Sequence, residues 1–347
     1  MKFFQTFETL VIALIGGIIF TYLSLPLSWM LGPLTAVMLY KNITKRDTPW
    51  NPRLKELGLI VLGISFGLYF TMNTIQLILP YFLPYSFITA LLIVATIIMA
   101  IAVTRFIKVD KITSVFGSIP GGLTEMVIAS EKLDAKPAQV MIFQTIRLLL
   151  VLFTVPYAII FLFGTVQGDA PIVTAPSGDA AFLSVFTLLF ILPALIGLRF
   201  QHVIPAGIMI LPMIITALLH ISPIPVASVP DVLFFGAQLC VGVSLGRSIS
   251  FGDIKEAGKY GPIYAAVAIG TISVSFLLGL LLSTLTTMNV QTAMLAAAPG
   301  GLIEMVLTAS IVGADPAIVS SLQLMRIIII ITFVPSFLSW YFTSLTS

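Results

Sequence analysis

A carboxylate and a guanidinium recur together twice in this sequence, within stretches otherwise almost free of charge. Glu125 follows Pro120-Gly121-Gly122, and Gln144 and Arg147 lie downstream of it. Glu304 follows Pro299-Gly300-Gly301, with Gln323 and Arg326 at the same spacing. An ionisable group in an apolar segment costs at least ~2.5 kcal/mol if it faces lipid, so it marks a functional site by default. Proline ends a helical arm, and the two glycines let the backbone turn sharply and approach a ligand. The arm after the turn starts with free amide N–H groups and the positive end of its dipole. Gln and Arg three residues apart share one helix face. This set can hold an anionic group with its arginines and helix N-termini, while one or both glutamates bind a proton or a cation. The plainer alternative is a pair of buried ion pairs, Glu125–Arg147 and Glu304–Arg326, pinning each turn to the next helix.

The elements that position these residues are membrane helices. Of 347 residues, 59% are hydrophobic and 9% charged, with a mean hydropathy of +1.12. A soluble domain of this length needs about 25% charged residues to cover its surface. Apolar runs such as 9–25, 83–106, 140–164 and 264–285 approach the roughly 20 residues that a bilayer crossing requires. The single cysteine, Cys240, excludes an intrachain disulfide. The N-terminal stretch has the look of a signal peptide, but Ala13-Leu-Ile-Gly16 recurs as Ala194-Leu-Ile-Gly197, so it reads as a retained first helix.

The chain is a duplication. Pro120-Gly-Gly-Leu-Thr-Glu-Met-Val127 recurs as Pro299-Gly-Gly-Leu-Ile-Glu-Met-Val306, an offset of 179 residues. The same offset maps Pro26 onto Pro205, Met30 onto Met209, Gly63 onto Gly242, Gln144 onto Gln323 and Arg147 onto Arg326. The first repeat spans 1–168 and the second 169–347. Each reads as six apolar segments: 9–25, 27–40, 54–70, 83–106, 112–130 and 137–163, then 184–201, 205–220, 231–247, 262–285, 291–309 and 316–342.

Lysine and arginine collect in cytoplasmic loops. That rule puts Lys41, Lys45, Arg46, Arg53 and Lys55 inside, with Arg105, Lys108 and Lys111, and with Lys132 and Lys136. The connector 164–181 has neither residue type and belongs outside. Those placements require segment 112–130 to enter, turn at Pro120-Gly121-Gly122 and return. Each half then crosses five times with one re-entrant hairpin, and an odd number inverts the second half. Both termini fall in the cytoplasm, and every basic residue except Arg147 and Arg326 lies inside. The fold class expected is therefore an all-α polytopic membrane protein of two inverted-topology repeats, each of about five transmembrane helices plus one broken Pro-Gly-Gly hairpin. Inverted repeats with discontinuous helices are the architecture of many secondary transporters.

Other chemistries find little footing. Gly63-Ile-Ser-Phe-Gly67 and Gly242-Val-Ser-Leu-Gly246 match the hydrolase pattern G-x-S-x-G, but that motif needs a strand-to-helix elbow and a triad histidine. Here small residues four apart on a membrane helix read as a packing surface. His202 and His220 border one short segment, and no Cys/His cluster has metal-ligand spacing. No phosphate loop is present, and the basic loop 41–55 reads as a topology signal or lipid contact, not a nucleic-acid element. No cofactor, metal or enzymatic activity is expected.

The doubled Pro-Gly-Gly-Leu-x-Glu-Met-Val motif with its Gln-x-x-Arg resembles the AbrB-type duplicated membrane protein family, over essentially the whole chain. The resemblance implies a protein of the bacterial cytoplasmic (inner) membrane. Members carry labels including ammonia monooxygenase, membrane regulator of gene expression and transporter. The family motif falls on Pro120, Gly121, Gly122, Glu125 and Arg147, and on Pro299, Gly300, Gly301, Glu304 and Arg326. Thr124 is matched by Ile303, so the two sites differ. The monooxygenase label finds no metal-ligand cluster to rest on. The soluble DNA-binding regulator that shares the family's name is not resembled, so any effect on transcription is indirect. The expected function is secondary transport of a small anionic or zwitterionic metabolite coupled to protons or sodium. A membrane sensor or regulatory protein is the alternative, and a passive channel ranks below both. The partners expected are the lipid bilayer, a small-molecule substrate and a coupling cation, with monomer and homodimer both open.

Overall fold

Local side-chain chemistry sets where the helices begin and break. The computed structural model describes residues 2–121, 123–131, 133, 135–164, 189–204, 206–222 and 226–343. Among them the first half forms α1 (Lys2–Tyr22), α2 (Ser28–Thr44), α3 (Pro52–Gly67), α4 (Met72–Val103), α5 (Lys111–Ser118), α6 (Leu123–Glu131) and α7 (Pro137–Phe163). The second half forms α8 (Ile191–Phe200), α9 (Gly207–Ile221), α10 (Asp231–Ser248), α11 (Phe251–Glu256), α12 (Gly261–Leu285), α13 (Val290–Ala297), α14 (Leu302–Val312) and α15 (Pro316–Thr343). Asn51 caps α3 by accepting the Arg53 N–H at 3.0 Å, with Pro52 in the first turn. The two broken segments start alike. Asp110 accepts from Thr113 N–H at 2.7 Å, and Asn289, its repeat equivalent, accepts from Thr292 N–H at 2.9 Å. The connector 165–188, and with it the start of the segment expected at 184–201, lies outside the described residues.

Among the described residues, five helices are long and apolar enough to cross a membrane: 5–22, 72–103, 137–163, 261–285 and 316–335. Large apolar side chains such as Leu79, Leu83, Phe161 and Phe333 stand exposed on them, as lipid-facing residues do. The all-helical architecture with several apolar spans is that expected of a polytopic membrane protein. One boundary differs from expectation. α4 begins at Met72, well before residue 83, and runs through Pro80 and Pro84. Prolines are tolerated in membrane helices where neighbours re-satisfy the freed carbonyls. The stretch they occupy also carries Tyr81 and Tyr85, both buried against α13 and α15.

The chain forms two compact units, and each draws on both repeats. The first comprises Met1–Leu77, Thr165–Ser250 and Val306–Ala317. Its helices touch through glycines. A Cβ on Gly242 would lie 2.3 Å from the Met30 carbonyl oxygen, and one on Gly246 would lie 2.3 Å from that of Leu34. The rising register of both contacts makes α2 and α10 parallel, and backbone this close requires glycine. A Cβ on Gly63 or Gly67 would lie 2.3 or 2.5 Å from the carbonyl oxygen of Met209 or Met213, so α3 and α9 are parallel too. Trp50 and Leu54, near the start of α3, pack with Leu239 and Val243 of α10, while Gly58 further along approaches Ala237. α3 and α10 therefore run in opposite directions. At one end Lys41 Nζ donates to Arg247 O (2.5 Å), Asn42 Nδ2 to Ile249 O (3.3 Å) and Arg247 Nη1 to Trp50 O (2.6 Å). Ser65, the serine of the first G-x-S-x-G, sits in the last turn of α3 with its hydroxyl donating to Val61 O at 2.8 Å, not on a strand-to-helix elbow. Its flanking glycines serve packing.

The second unit comprises Ile78–Gly164, Phe251–Met305 and Ile318–Ser347. Val115, Phe116 and Ile119 of the first broken segment pack with Met126, Val140 and the α15 residues Ile330, Val334 and Leu338. Ala293, Ala296 and Ala297 of the second broken segment pack with Tyr85, Ile88, Leu282 and Leu322. The Lys136 N–H, at the threshold of α7, donates to Thr113 Oγ1 at 2.9 Å, so the first hairpin starts and finishes at one level.

Candidate functional site

The break between α5 and α6 follows from its sequence. Ile119 is extended (φ −62°, ψ 130°), as a residue preceding proline must be, and Ala298 before Pro299 is the same (φ −59°, ψ 136°). Gly121 N–H then donates to Ile119 O at 2.9 Å and Gly300 N–H to Ala298 O at 2.8 Å, closing a tight three-residue turn around each proline. Both prolines are buried. α5 and α13 each have eight residues, about 12 Å of helix, which is too short to cross a bilayer.

The carbonyls released at each break are collected by the glutamine and arginine of the following long helix. Gln144 Nε2 donates to Phe116 O (2.6 Å) and Ile119 O (3.0 Å), while Arg147 donates from Nη1 to Ile119 O and from Nη2 to Gly121 O (3.3 Å). In the second repeat Gln323 Nε2 donates to Leu295 O (2.8 Å), Ala296 O (3.2 Å) and Ala298 O (3.2 Å). Arg326 donates to Ala298 O, to Gly300 O (2.7 Å) and to Gln323 Oε1. All four side chains are buried; the arginines are 8% and 3% exposed. Arginine on neutral turn carbonyls thus pins each turn to the following helix.

Glu304 is buried at the third position of α14, and its carboxylate folds back over the turn: a Cβ on Gly301 would lie 2.1 Å from Glu304 Oε2. A carboxylate there faces the free N–H groups of the helix start. The expected site residues Pro120, Gly121, Gln144, Arg147, Pro299, Gly300, Gly301, Glu304, Gln323 and Arg326 all belong to the second unit. Gly122 and the side chain of Glu125 lie outside the described residues.

Residues not anticipated from the sequence complete the surroundings. Tyr85 Oη donates to Ala296 O at 2.9 Å. Tyr264, its equivalent at the 179-residue offset, stacks on Phe143 with ring centroids 3.5 Å apart and planes inclined by 13°. Gly117, Ser118, Phe143, Arg147, Tyr264, Val267 and Ala268 line a narrow crevice beside the first turn. The repeat itself carried the signal for the tyrosine pair. Among the described residues, no group of three or more His, Cys, Asp and Glu could hold a metal ion.

The family model described as "Transition state regulatory protein AbrB" matches residues 29–342. The chain is 24% identical over 342 residues to "Uncharacterized protein YhjN" of Bacillus subtilis (strain 168), covering 93% of this chain and 89% of that protein. No solved structure matches.

Proposed function

The chain belongs to the AbrB family, and from that premise we propose that it is a secondary transporter of a small anionic or zwitterionic metabolite, coupled to protons or sodium. The observation that carries this reading is the doubled, broken helix whose turn carbonyls are gripped by a buried Gln–Arg pair. Discontinuous helices with exposed backbone are tolerable at membrane depth only where protein or a watery cavity satisfies them, and transporters place their midplane sites there. The parallel pairing of α2 with α10 and of α3 with α9 supports inverted repeats. α3 opposes α10 and therefore opposes α2; α9 follows α3, so α9 runs against α2, its own repeat equivalent. The proximity of Lys41 and Asn42 to Arg247 and Ile249 supports one basic, cytoplasmic end for those loops. The Lys136–Thr113 bond supports a hairpin that re-enters. In this reading the protein resides in a bacterial inner membrane, and Glu304, with Glu125, carries the coupling cation.

The regulatory description of the family favours a second reading, a membrane sensor that binds a ligand without moving it. Purified protein in proteoliposomes separates the two. Radiolabelled small carboxylates and amino acids are offered with an imposed proton or sodium gradient. Accumulation above equilibrium marks a transporter. Binding without accumulation marks a sensor, and flux that only dissipates a gradient marks a channel.

A further inference from the structure

The two turns are built from the same residues but are not satisfied equally. In the second, Arg326 donates to Gln323 Oε1, and Tyr85 reaches the Ala296 carbonyl. Both polar ends of the Gln323 amide and both Arg326 Nη groups bond to a turn carbonyl or to one another. In the first, Gln144 Oε1 and Arg147 Nε are buried without a hydrogen-bond partner among the described residues. The arginine and glutamine share a helix face, yet they leave one acceptor and one donor unused. A buried polar atom without a partner has given up water for nothing, so such orphans in a native protein need an explanation. The surroundings differ in the same sense. Leu322 in the second repeat is replaced by Phe143 in the first, and Tyr264 lies on that ring instead of bonding to the turn. Arg147 and the Phe143–Tyr264 stack line one crevice with Ser118, whose proton is donated to Ser114 O at 2.8 Å, leaving its oxygen to accept.

We propose that the two turns divide their work: the second is a closed structural clamp, and the first receives the substrate, a small carboxylate bearing a hydrogen-bond donor on its α-carbon. This rests on the transporter reading and narrows its substrate class. The carboxylate accepts from Arg147 Nε–H, and the α-ammonium or α-hydroxyl donates to Gln144 Oε1. A bare carboxylate satisfies the arginine but sets its lone pairs against the glutamine oxygen. The side chain lies toward Phe143 and Tyr264. α-Amino and α-hydroxy acids share this donor–acceptor chemistry.

The test is competition among three matched probes, L-alanine, L-lactate and propionate, against purified full-length protein in nanodiscs, by calorimetry and by thermal shift. Alanine or lactate binds at least about tenfold more tightly than propionate, the loss expected of one unmade buried hydrogen bond. The preferred member of the pair says whether the donor is ammonium or hydroxyl. Q144L abolishes the preference over propionate. Q323L lowers thermal stability and keeps the preference. Equal affinity for the three probes, or no measurable binding of any, overturns the proposal without any variant having to fold. Preference lost in Q323L and kept in Q144L overturns it by moving the site to the second turn. Proteoliposome accumulation is scored separately. Accumulation without probe preference refutes the divided turns and leaves the transporter; preference without accumulation refutes the transporter and leaves the site.

Discussion

Two glycines on one helix offer a test of the packing in the first unit. Gly242 and Gly236 both lie in α10. A Cβ at Gly242 would sit 2.3 Å from the Met30 carbonyl oxygen, against an ordinary contact of 3.4 Å or more, so α2 and α10 must part by about 1 Å. A gap of that size forfeits roughly a quarter to a half of each dispersion contact along the seam. Overpacking of this kind costs about 1–3 kcal/mol. A Cβ at Gly236 meets nothing within 4 Å, so G236A only removes glycine's entropy penalty and stabilises by about 0.5–1 kcal/mol. The two variants should therefore differ by about 2–4 kcal/mol within one helix, G242A falling and G236A holding or rising. The assay is reversible unfolding of detergent-solubilised protein by SDS titration, followed by far-UV circular dichroism. G63A, facing Met209 O at 2.3 Å, should match G242A. If G242A and G236A unfold together, α2 and α10 do not meet through these carbonyls, and the parallel pairing behind the inverted-repeat reading fails.

Further outcomes concern the turns and the topology. R326Q should destabilise more than R147Q, by about 1–2 kcal/mol, because Arg326 holds Gly300 O and Gln323 Oε1 at closer range than Arg147 holds Gly121 O; the reverse order in the same titration would contradict the satisfied-clamp description. G301A should displace the Glu304 carboxylate that lies where its Cβ must go, so gradient-driven uptake falls while the unfolding midpoint moves little; unchanged uptake would remove Glu304 from the coupling step. E125Q combined with E304Q should abolish the dependence of uptake on the proton or sodium gradient, measured as accumulation ratio in proteoliposomes. In a Cys240→Ala background, S177C should label from the outside of intact cells and T44C should not; outside labelling of T44C would sink the inverted topology.

Much of this arrangement was legible from the residues. The 179-residue offset, the helix breaks at Pro120 and Pro299, and the shared face of Gln144 with Arg147 all follow from residue types and spacing. What the arginines hold was not legible, because their partners are backbone carbonyls and any sequence has a carbonyl at every position. A glutamate and an arginine recurring in each repeat suggest an ion pair, and nothing in that pattern names the carbonyls of Ile119 and Ala298 that Arg147 and Arg326 bond. Gly63 and Gly242 read correctly as packing glycines, but their partners Met209 and Met30 belong to the other half, and no local signal names a partner across 146 or 212 residues. The aromatic stack of Phe143 on Tyr264 is hidden for the same reason.

The crossed pairing of α2 with α10 and α3 with α9 has a consequence for biogenesis. Met30 leaves the ribosome 212 residues before Gly242 and Met209 follows Gly63 by 146. At about 5–20 residues per second, the early helices wait roughly 7–42 s in the membrane before their glycine-fitted partners arrive. The first half can insert but cannot close its own unit, and the product of an early stop would present an unfilled groove to quality control. On the inverted-repeat reading proposed above, the same interdependence describes an ancestor before duplication: a single half whose helices were completed by a second, oppositely inserted copy.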